Sequence, residues 1–181
     1  DYEERKDWDT FWIVDPLDGT KEFIKQNDEF TINIALIENG KPTLGVVYVP
    51  ALKTLYFASS ETGAYKQENQ NQPHRIHSTR ADRSQPLTII ESRSHGSDKL
   101  EQFLQDEGIT VKDRVKAGSS VKFCRVAEGT ADLYPRLGPT MEWDVAAGDA
   151  IWRYSAREGE HYSPLTYNKK DLKNEGFVIG W

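Results

Sequence analysis

The sequence predicts an α+β fold, or a layered α/β arrangement, and three observations lead there. Apolar runs with turn signals between them crowd the stretch from Trp12 to Lys66, which suits an antiparallel meander. From Leu87 onward the pattern changes to strand and helix signals in alternation. The 181 residues, 37% of them hydrophobic and 11% aromatic, are enough to build a core for one substantial domain or two small lobes.

Taken in order, Asp1 to Asp9 is polar and is expected to be a surface loop. Trp12 to Val14 reads as a strand that delivers Asp15 to its end, where Pro16 fixes φ and Gly19 permits a sharp turn. Gly19 to Phe23 opens a short helix reaching Gln26. Phe30 to Ile37 alternates, placing Phe30, Ile32, Ile34 and Leu36 on one face of a half-buried strand. Asn39-Gly40 is a strong hairpin signal, with Leu44 to Val49 as the partner strand and Pro50 closing it. Thr54 to Ala58 and a shorter strand near Ala64 to Lys66 complete the meander.

Gln67 to Pro73 is a polar, low-complexity loop and a candidate lobe boundary. The expected division is an N-terminal lobe over residues 1–85 and a C-terminal α/β lobe over residues 86–181. Leu87 to Glu91 reads as a strand. Leu100, Phe103 and Leu104 give an apolar helical stripe ended by Gly108. Another strand is expected over Ile109 to Val115, a helix from Gly118-Ser119-Ser120 to about Glu128, and a short strand over Ala131 to Tyr134. Trp143 to about Arg157 is the longest helical candidate, with Ala146, Ala150 and Tyr154 on one face. Phe177 to Ile179 makes a final strand.

Bulk properties narrow the function. A net charge of -6 argues against a general nucleic-acid binder, which would carry a basic footprint. Acidity leaves room for a phosphorylated small substrate, because a bound divalent cation would supply positive charge. Mean hydropathy of -0.70 and the lack of a long apolar run give no transmembrane segment. Cys124 is the single cysteine, so no internal disulfide forms, and the expected compartment is a reducing cytoplasm. The chain starts at Asp1 rather than Met, in a charged run close to the first strand. It is therefore expected to be part of a longer protein.

The chemistry concentrates at Asp15-Pro16-Leu17-Asp18-Gly19-Thr20. Two carboxylates on one turn are hard oxygen ligands aimed at a common point, a set that suits Mg²⁺. The helix start beside them would favour a phosphate. Locally, an ordinary capped loop with Asp18 as the cap explains the same residues. Asp144, at the start of the longest helix, is either a dipole-favoured terminal acid or a third carboxylate for the same ion. Gly118-Ser119-Ser120-Val121-Lys122 and Tyr134-Pro135-Arg136 offer hydroxyls and cations that fit an anion, although such cations are commonly solvated surface. Asp149 is read as an exposed helix residue, and Cys124 as a small buried hydrophobe. His74, His77 and His161 show no zinc-type spacing.

The stretch Trp12-Ile13-Val14-Asp15-Pro16-Leu17-Asp18-Gly19-Thr20-Lys21-Glu22-Phe23 resembles the first signature of the lithium-sensitive, Mg²⁺-dependent phosphatase superfamily that includes inositol monophosphatase. Trp143-Asp144 with Ala146-Ala147-Gly148 is similar to its second signature. Lys21-Glu22-Phe23, Gly118 to Cys124, Val126 to Gly129, Tyr134 to Arg136, Gly138 to Thr140 and Leu165 to Lys169 resemble the 3'(2'),5'-bisphosphate nucleotidase (CysQ) branch. The resemblance implies the αβαβα sandwich of the inositol monophosphatase and fructose-1,6-bisphosphatase type, with its N-terminal part missing here. It also implies hydrolysis of the 3'-phosphate of 3'-phosphoadenosine 5'-phosphate to AMP, removing a by-product of sulfur assimilation.

Residue by residue, it implies that Asp15, Asp18, Asp144 and the Leu17 carbonyl hold two or more Mg²⁺ ions, with Li⁺ as an inhibitor. Gly19 and Thr20 would hold the scissile phosphate, and the Thr20 hydroxyl would orient the attacking water. Ser92, His95, Ser119, Lys122 and Arg136 fall where relatives contact the nucleotide. Relatives also imply a cytoplasmic protein, in some cases peripheral on the inner face of the plasma membrane, and allow a homodimer. The family supplies a further ligand Glu and a water-activating acid upstream of the first signature. Glu3 and Glu4 lie too close to Asp15 to be that pair. The rival readings are another phosphatase of the superfamily, acting on inositol phosphates or sugar bisphosphates, and an inactive metal- or nucleotide-binding fragment.

Overall fold

A computed structural model describes residues 1–93 and 98–181. After helix α1 (Tyr2–Arg5) come strand β1 (Thr10–Asp18), helix α2 (Thr20–Lys25) and strands β2 (Thr31–Glu38), β3 (Lys41–Val49), β4 (Thr54–Ser59), β5 (Gly63–Glu68) and β6 (His74–Arg75). The second half runs β7 (Leu87–Ser92), α3 (Asp98–Asp106), β8 (Val111–Ala117), α4 (Val121–Ala127), β9 (Tyr134–Arg136), β10 (Thr140–Met141), α5 (Glu142–Arg153), β11 (Lys173–Asn174) and β12 (Phe177–Ile179).

β1 to β6 form one antiparallel sheet in chain order. β1 and β2 are joined through α2 and the later strands by shorter links, the β2–β3 hairpin turning on Asn39 and Gly40 with φ of 52° and 74°. That left-handed pair matches the right-handed twist of the flanking strands. β7 and β8 pair in parallel around α3, as a βαβ unit requires, and Ile89 bridges to Leu133 beside β9. β9 pairs with β12, and β10 with β11.

One face of the six-stranded sheet lies under α5. The buried residues of β2 are Thr31, Asn33, Ala35 and Ile37, not the expected set of Phe30, Ile32, Ile34 and Leu36. Alternation gives the period of a strand but not which side is deeper, and here helix packing decides. Gly45 on β3 lets α5 rest on the sheet, since a Cβ there would stand 2.5 Å from the Ala147 carbonyl oxygen. Gly148 faces the Phe123 ring of α4 in the same manner, at 2.6 Å. The opposite face carries Trp12 and Val14, 58% and 50% exposed, beside half-buried Ile32, Ile34 and Leu36. A sheet apolar on both faces belongs in the middle of a layered structure.

The main core joins Ala35, Val47 and Tyr56 of the sheet to Val126, Ile151 and Trp152 of the helices and Ile179 of β12. A smaller cluster gathers Leu87, Ile89, Leu100, Leu104 and Leu133. Burying groups this large contributes about 1.5–3 kcal/mol each, before the conformational entropy that opposes it. Cys124 sits fully buried among them, as expected.

Several local expectations need correction. Residues 2–5 are helical rather than loop, because Asp1 and Glu4 make a capping box. The strand expected over Ile109 to Val115 is Val111–Ala117, and that expected over Ala131 to Tyr134 is Tyr134–Arg136. α5 stops at Arg153, short of Arg157, with Gly159 beyond it at φ 64°. Asp149 is fully buried, not exposed. It accepts two bonds from Arg153 Nε at 3.1 Å and one from the Tyr167 hydroxyl at 2.8 Å.

Candidate active site

Two elements bring three carboxylates together. In a regular strand residues three apart point to opposite faces, so Asp15 and Asp18 could not share a site. β1 is irregular between them: Asp15 pairs with Asn33 and Asp18 with Thr31, so three steps on β1 match two on β2. The extra residue turns Asp18 to the face of Asp15. This bulge, rather than a turn at the end of the strand, is how the motif works. Leu17 lies inside it and donates its N–H to Asp15 Oδ1 at 3.0 Å. Gly19 follows with φ +84°, and a Cβ there would stand 2.7 Å from Ser119 Oγ. Both the dihedral and the crowding demand glycine. Thr20 is the first residue of α2.

Asp144 comes from α5. Its Oδ2 accepts from Thr140 Oγ1 at 2.7 Å and from Met141 N at 3.0 Å, the bond that a third-position acid makes to the helix cap. Asp15, Asp18 and Asp144 each offer one oxygen, and those oxygens lie within 4.8 Å of one another. Among the described residues none of the three forms an ion pair with a lysine or arginine. Burial first, and then the charges of Asp144 and Asp15, push Asp18 up to about 6, against the pull of Lys122 and Asn33. Asp15 is also raised, by burial and by Asp144, against the Leu17 N–H. Like charges gathered without a direct ion pair, presenting hard oxygen atoms, fit a divalent cation.

Beside the cluster lies a pocket of about 270 Å³. Its walls include Asp18, Gly19, Thr20, Ser92, Ser119, Lys122, Arg136 and Asp144, so residues from distant motifs meet here. His95 lies outside the described residues. Lys122 is not the solvated surface group that its sequence context allows: it is 6% exposed. Its Nζ donates to the Ser119 carbonyl at 2.7 Å and stands 5.6 Å from the Tyr134 ring centre. Burial lowers its pKa to about 8 against the attraction of Asp18. Arg136 donates to Ser92 Oγ at 3.4 Å and to the Pro139 carbonyl at 3.1 Å. Its Nε is buried with no partner among the described residues. A buried lysine and an incompletely satisfied arginine facing one pocket call for an anion.

Sequence reasoning missed Glu29, Thr31 and Asn33 in this region and gave Arg93 and Ser120 no role of their own, while the expected substrate contact Ser119 is engaged with the backbone. Arg93 lines the pocket and pairs with Glu29 through bonds of 2.5 and 2.7 Å. Glu29 also accepts from Gly118 N at 2.8 Å, fastening the loop after α2 to the loop before α4. Ser119, at φ +46°, spends its hydroxyl on the carbonyls of Glu29 and Asp18, so it builds the wall. Thr31, Asn33 and Ser120 surround Asp18. The available signal was the face of β2 that runs Thr31, Asn33, Ala35, Ile37: polar near the motif and apolar farther away.

Known proteins resemble this chain in sequence and in fold. The chain is 54% identical over 151 residues to the 3'(2'),5'-bisphosphate nucleotidase CysQ of Salmonella typhimurium, covering 83% of this chain and 58% of that protein. It is 46% identical over 185 residues to the CysQ protein of Escherichia coli K12, covering 98% of this chain and 71% of that one. The chain thus spans less than two thirds of the Salmonella relative. The crystal structure of CysQ from Bacteroides thetaiotaomicron superposes with a TM-score of 0.84 at 44% identity, over 99% of this chain and 72% of that one. The model of the inositol monophosphatase family matches residues 2–154. With a bulged strand and a helix gathering the three acids of both signatures beside one pocket, this chain belongs to the inositol monophosphatase family.

Proposed function

We propose that the protein works as a Mg²⁺-dependent phosphomonoesterase that removes the 3'-phosphate of 3'-phosphoadenosine 5'-phosphate, giving AMP and phosphate. The observation that carries this reading is the Asp15–Asp18–Asp144 cluster, without a direct ion pair among the described residues, beside a pocket whose lining includes the cations Lys122 and Arg136. The names of the two CysQ relatives, from Salmonella typhimurium and Escherichia coli, support the substrate.

Asp15, Asp18, Asp144 and the Leu17 carbonyl would hold Mg²⁺, which supplies charge neutralisation for the transferring phosphoryl group and acidifies water. Li⁺ is expected to inhibit by competing there. Gly19 and Thr20 offer main-chain N–H groups to the scissile phosphate, and the Thr20 hydroxyl orients the attacking water. Lys122 and Arg136 hold the second phosphate and the adenosine side, with Ser92 steadying Arg136. Phosphoryl transfer asks for positioning and electrostatic support more than covalent chemistry, so no nucleophilic side chain is required. Glu3 and Glu4 have side chains 70% and 78% exposed on α1 and take no part. The described helices include none long and apolar enough to cross a membrane, and the expected location is the cytoplasm.

Phosphate release from 3'-phosphoadenosine 5'-phosphate, inositol monophosphate and a sugar bisphosphate, measured side by side with Mg²⁺, tests the proposal. The bisphosphate nucleotide should be preferred, and Asp15→Asn should abolish the Mg²⁺-dependent rate. Preference for inositol monophosphate overturns the substrate, and normal turnover by Asp15→Asn overturns the metal assignment.

A further inference from the structure

Asp18 is held in an unusual manner. Its Oδ2 accepts from Ser120 N at 2.9 Å and, each at 3.3 Å, from Thr31 Oγ1, Asn33 Nδ2 and Ser120 Oγ. Among the described hydrogen bonds none reaches Oδ1. One oxygen is saturated and the other is left for a ligand. Ser120 Oγ accepts from Asn33 Nδ2 at 3.0 Å and turns its single proton chiefly to the Asp144 carbonyl at 2.8 Å, so its 3.3 Å approach to Asp18 is the weaker branch. A chain of bonds therefore runs from β2 through Asn33 and Ser120 to the backbone of α5, passing both Asp18 and Asp144. Thr31, Asn33 and Ser120 are buried to within 1% of full burial, so water does not compete for these bonds.

From this geometry we infer that Ser120, Asn33 and Thr31 are positioning residues for the metal site. They fix the rotamer of Asp18 and the separation between the strand-borne and helix-borne carboxylates. Residues that orient metal ligands from behind change affinity for the ion more than they change the fold. A network that merely satisfied the start of α4 would act the other way, moving stability and leaving ion affinity alone. The inference rests on the reading of the three carboxylates as a divalent-cation site.

Mn²⁺ serves as the probe, titrated into the protein and its variants by calorimetry and electron paramagnetic resonance. Ser120→Ala keeps the Ser120 N–H bond to Asp18 but removes the link to Asp144. It should raise the Mn²⁺ dissociation constant by about 10-fold or more, in the range found for such outer residues. Half-saturating Mg²⁺ for phosphate release should rise in step, with the maximal rate recovered at high Mg²⁺ and KM for the nucleotide unchanged. Thr31→Val, close in shape, removes a single donor and provides the same test should Ser120→Ala not fold. Unaltered Mn²⁺ affinity in the folded variant overturns the inference while the metal reading stands. A parent protein that binds no Mn²⁺ overturns both.

Discussion

α5 carries two aspartates, and they live in opposite circumstances. Asp144 and Asp149 are five residues apart, about 140° around the helix. Asp149 is wholly buried and surrounded by partners: Arg153 beside it, the Tyr167 hydroxyl against Oδ2, and Arg153 in turn tied to the carbonyls of Ser163 and Leu165. Burial pushes its pKa up while Arg153, Ser163 and Tyr167 pull it back. Among the described residues Asp144 meets neutral donors and two further carboxylates, with no ion pair. One aspartate closes a charge balance and the other leaves it open. Local stability belongs to the first arrangement, and affinity for an external cation to the second.

The largest effect should come from removing the open charge. Asp18→Asn should lower Mg²⁺-dependent phosphate release about 10³-fold, the scale of charge-stabilising groups in phosphoryl transfer. Calorimetry of the metal-free protein should show unchanged or higher stability, because burial and neighbouring acids already disfavour the charged form. A loss of stability would break the contrast. Asp149→Ala should do the reverse. Stranding Arg153 in the interior should cost about 3–5 kcal/mol in urea unfolding, with the folded fraction keeping its rate.

Gly45→Ala is expected to affect both regions, since the added methyl meets the Ala147 carbonyl and pushes on the helix that bears both aspartates. About 1–3 kcal/mol of stability should be lost, together with a fall in kcat. The smallest effect concerns His161, whose ring stacks on Trp152 at 3.9 Å with Nε2 3.1 Å from Ser78 Oγ, while its main-chain N–H donates to the Arg153 carbonyl at 2.8 Å. Burial lowers its pKa to about 4, aided by Arg80 and opposed by Ser78. Its unfolded form, with a pKa near 6.5, binds a proton that the folded form rejects. Its contribution is therefore complete above about pH 6.5 and lost as the pH falls toward 4. Asp18, raised to about 6, acts in the opposite sense over the same range, so the His161 effect is read as a difference: between pH 7 and 5 the urea midpoint of His161→Phe should fall less, or rise more, than that of the parent.

Much of the fold was legible because its signals are local. The Asn39-Gly40 turn, the period of β2 and the small-residue stripe of α5 depend on a few neighbouring residues. Asp15, Asp18 and Asp144 were legible as well, through two separate motifs that resemble known signatures. What stayed hidden depends on long-range contacts. The bulge that turns Asp18 to face Asp15 appears only in the pairing with β2. The burial of Asp149 depends on Tyr167, eighteen residues away, and the roles of Asn33 and Ser120 depend on three elements meeting. The same composition on β2 would have served either face, and the seating of α5 on Gly45 settled the choice.

That seating has a consequence for how the site ages and adapts. At Gly45, Ala147 and Ala150 the backbone of β3 comes nearly against that of α5, with no long side chain at that contact to change rotamer. A spacer made of long side chains creeps as they repack with temperature or mutation. A spacer of bare main chain behaves like a machined stop. The gap between the carboxylates of β1 and α5 should therefore drift little through heating, or through substitutions elsewhere in the core, and the protein can afford to vary its outer layers while the tolerance at the ion stays tight.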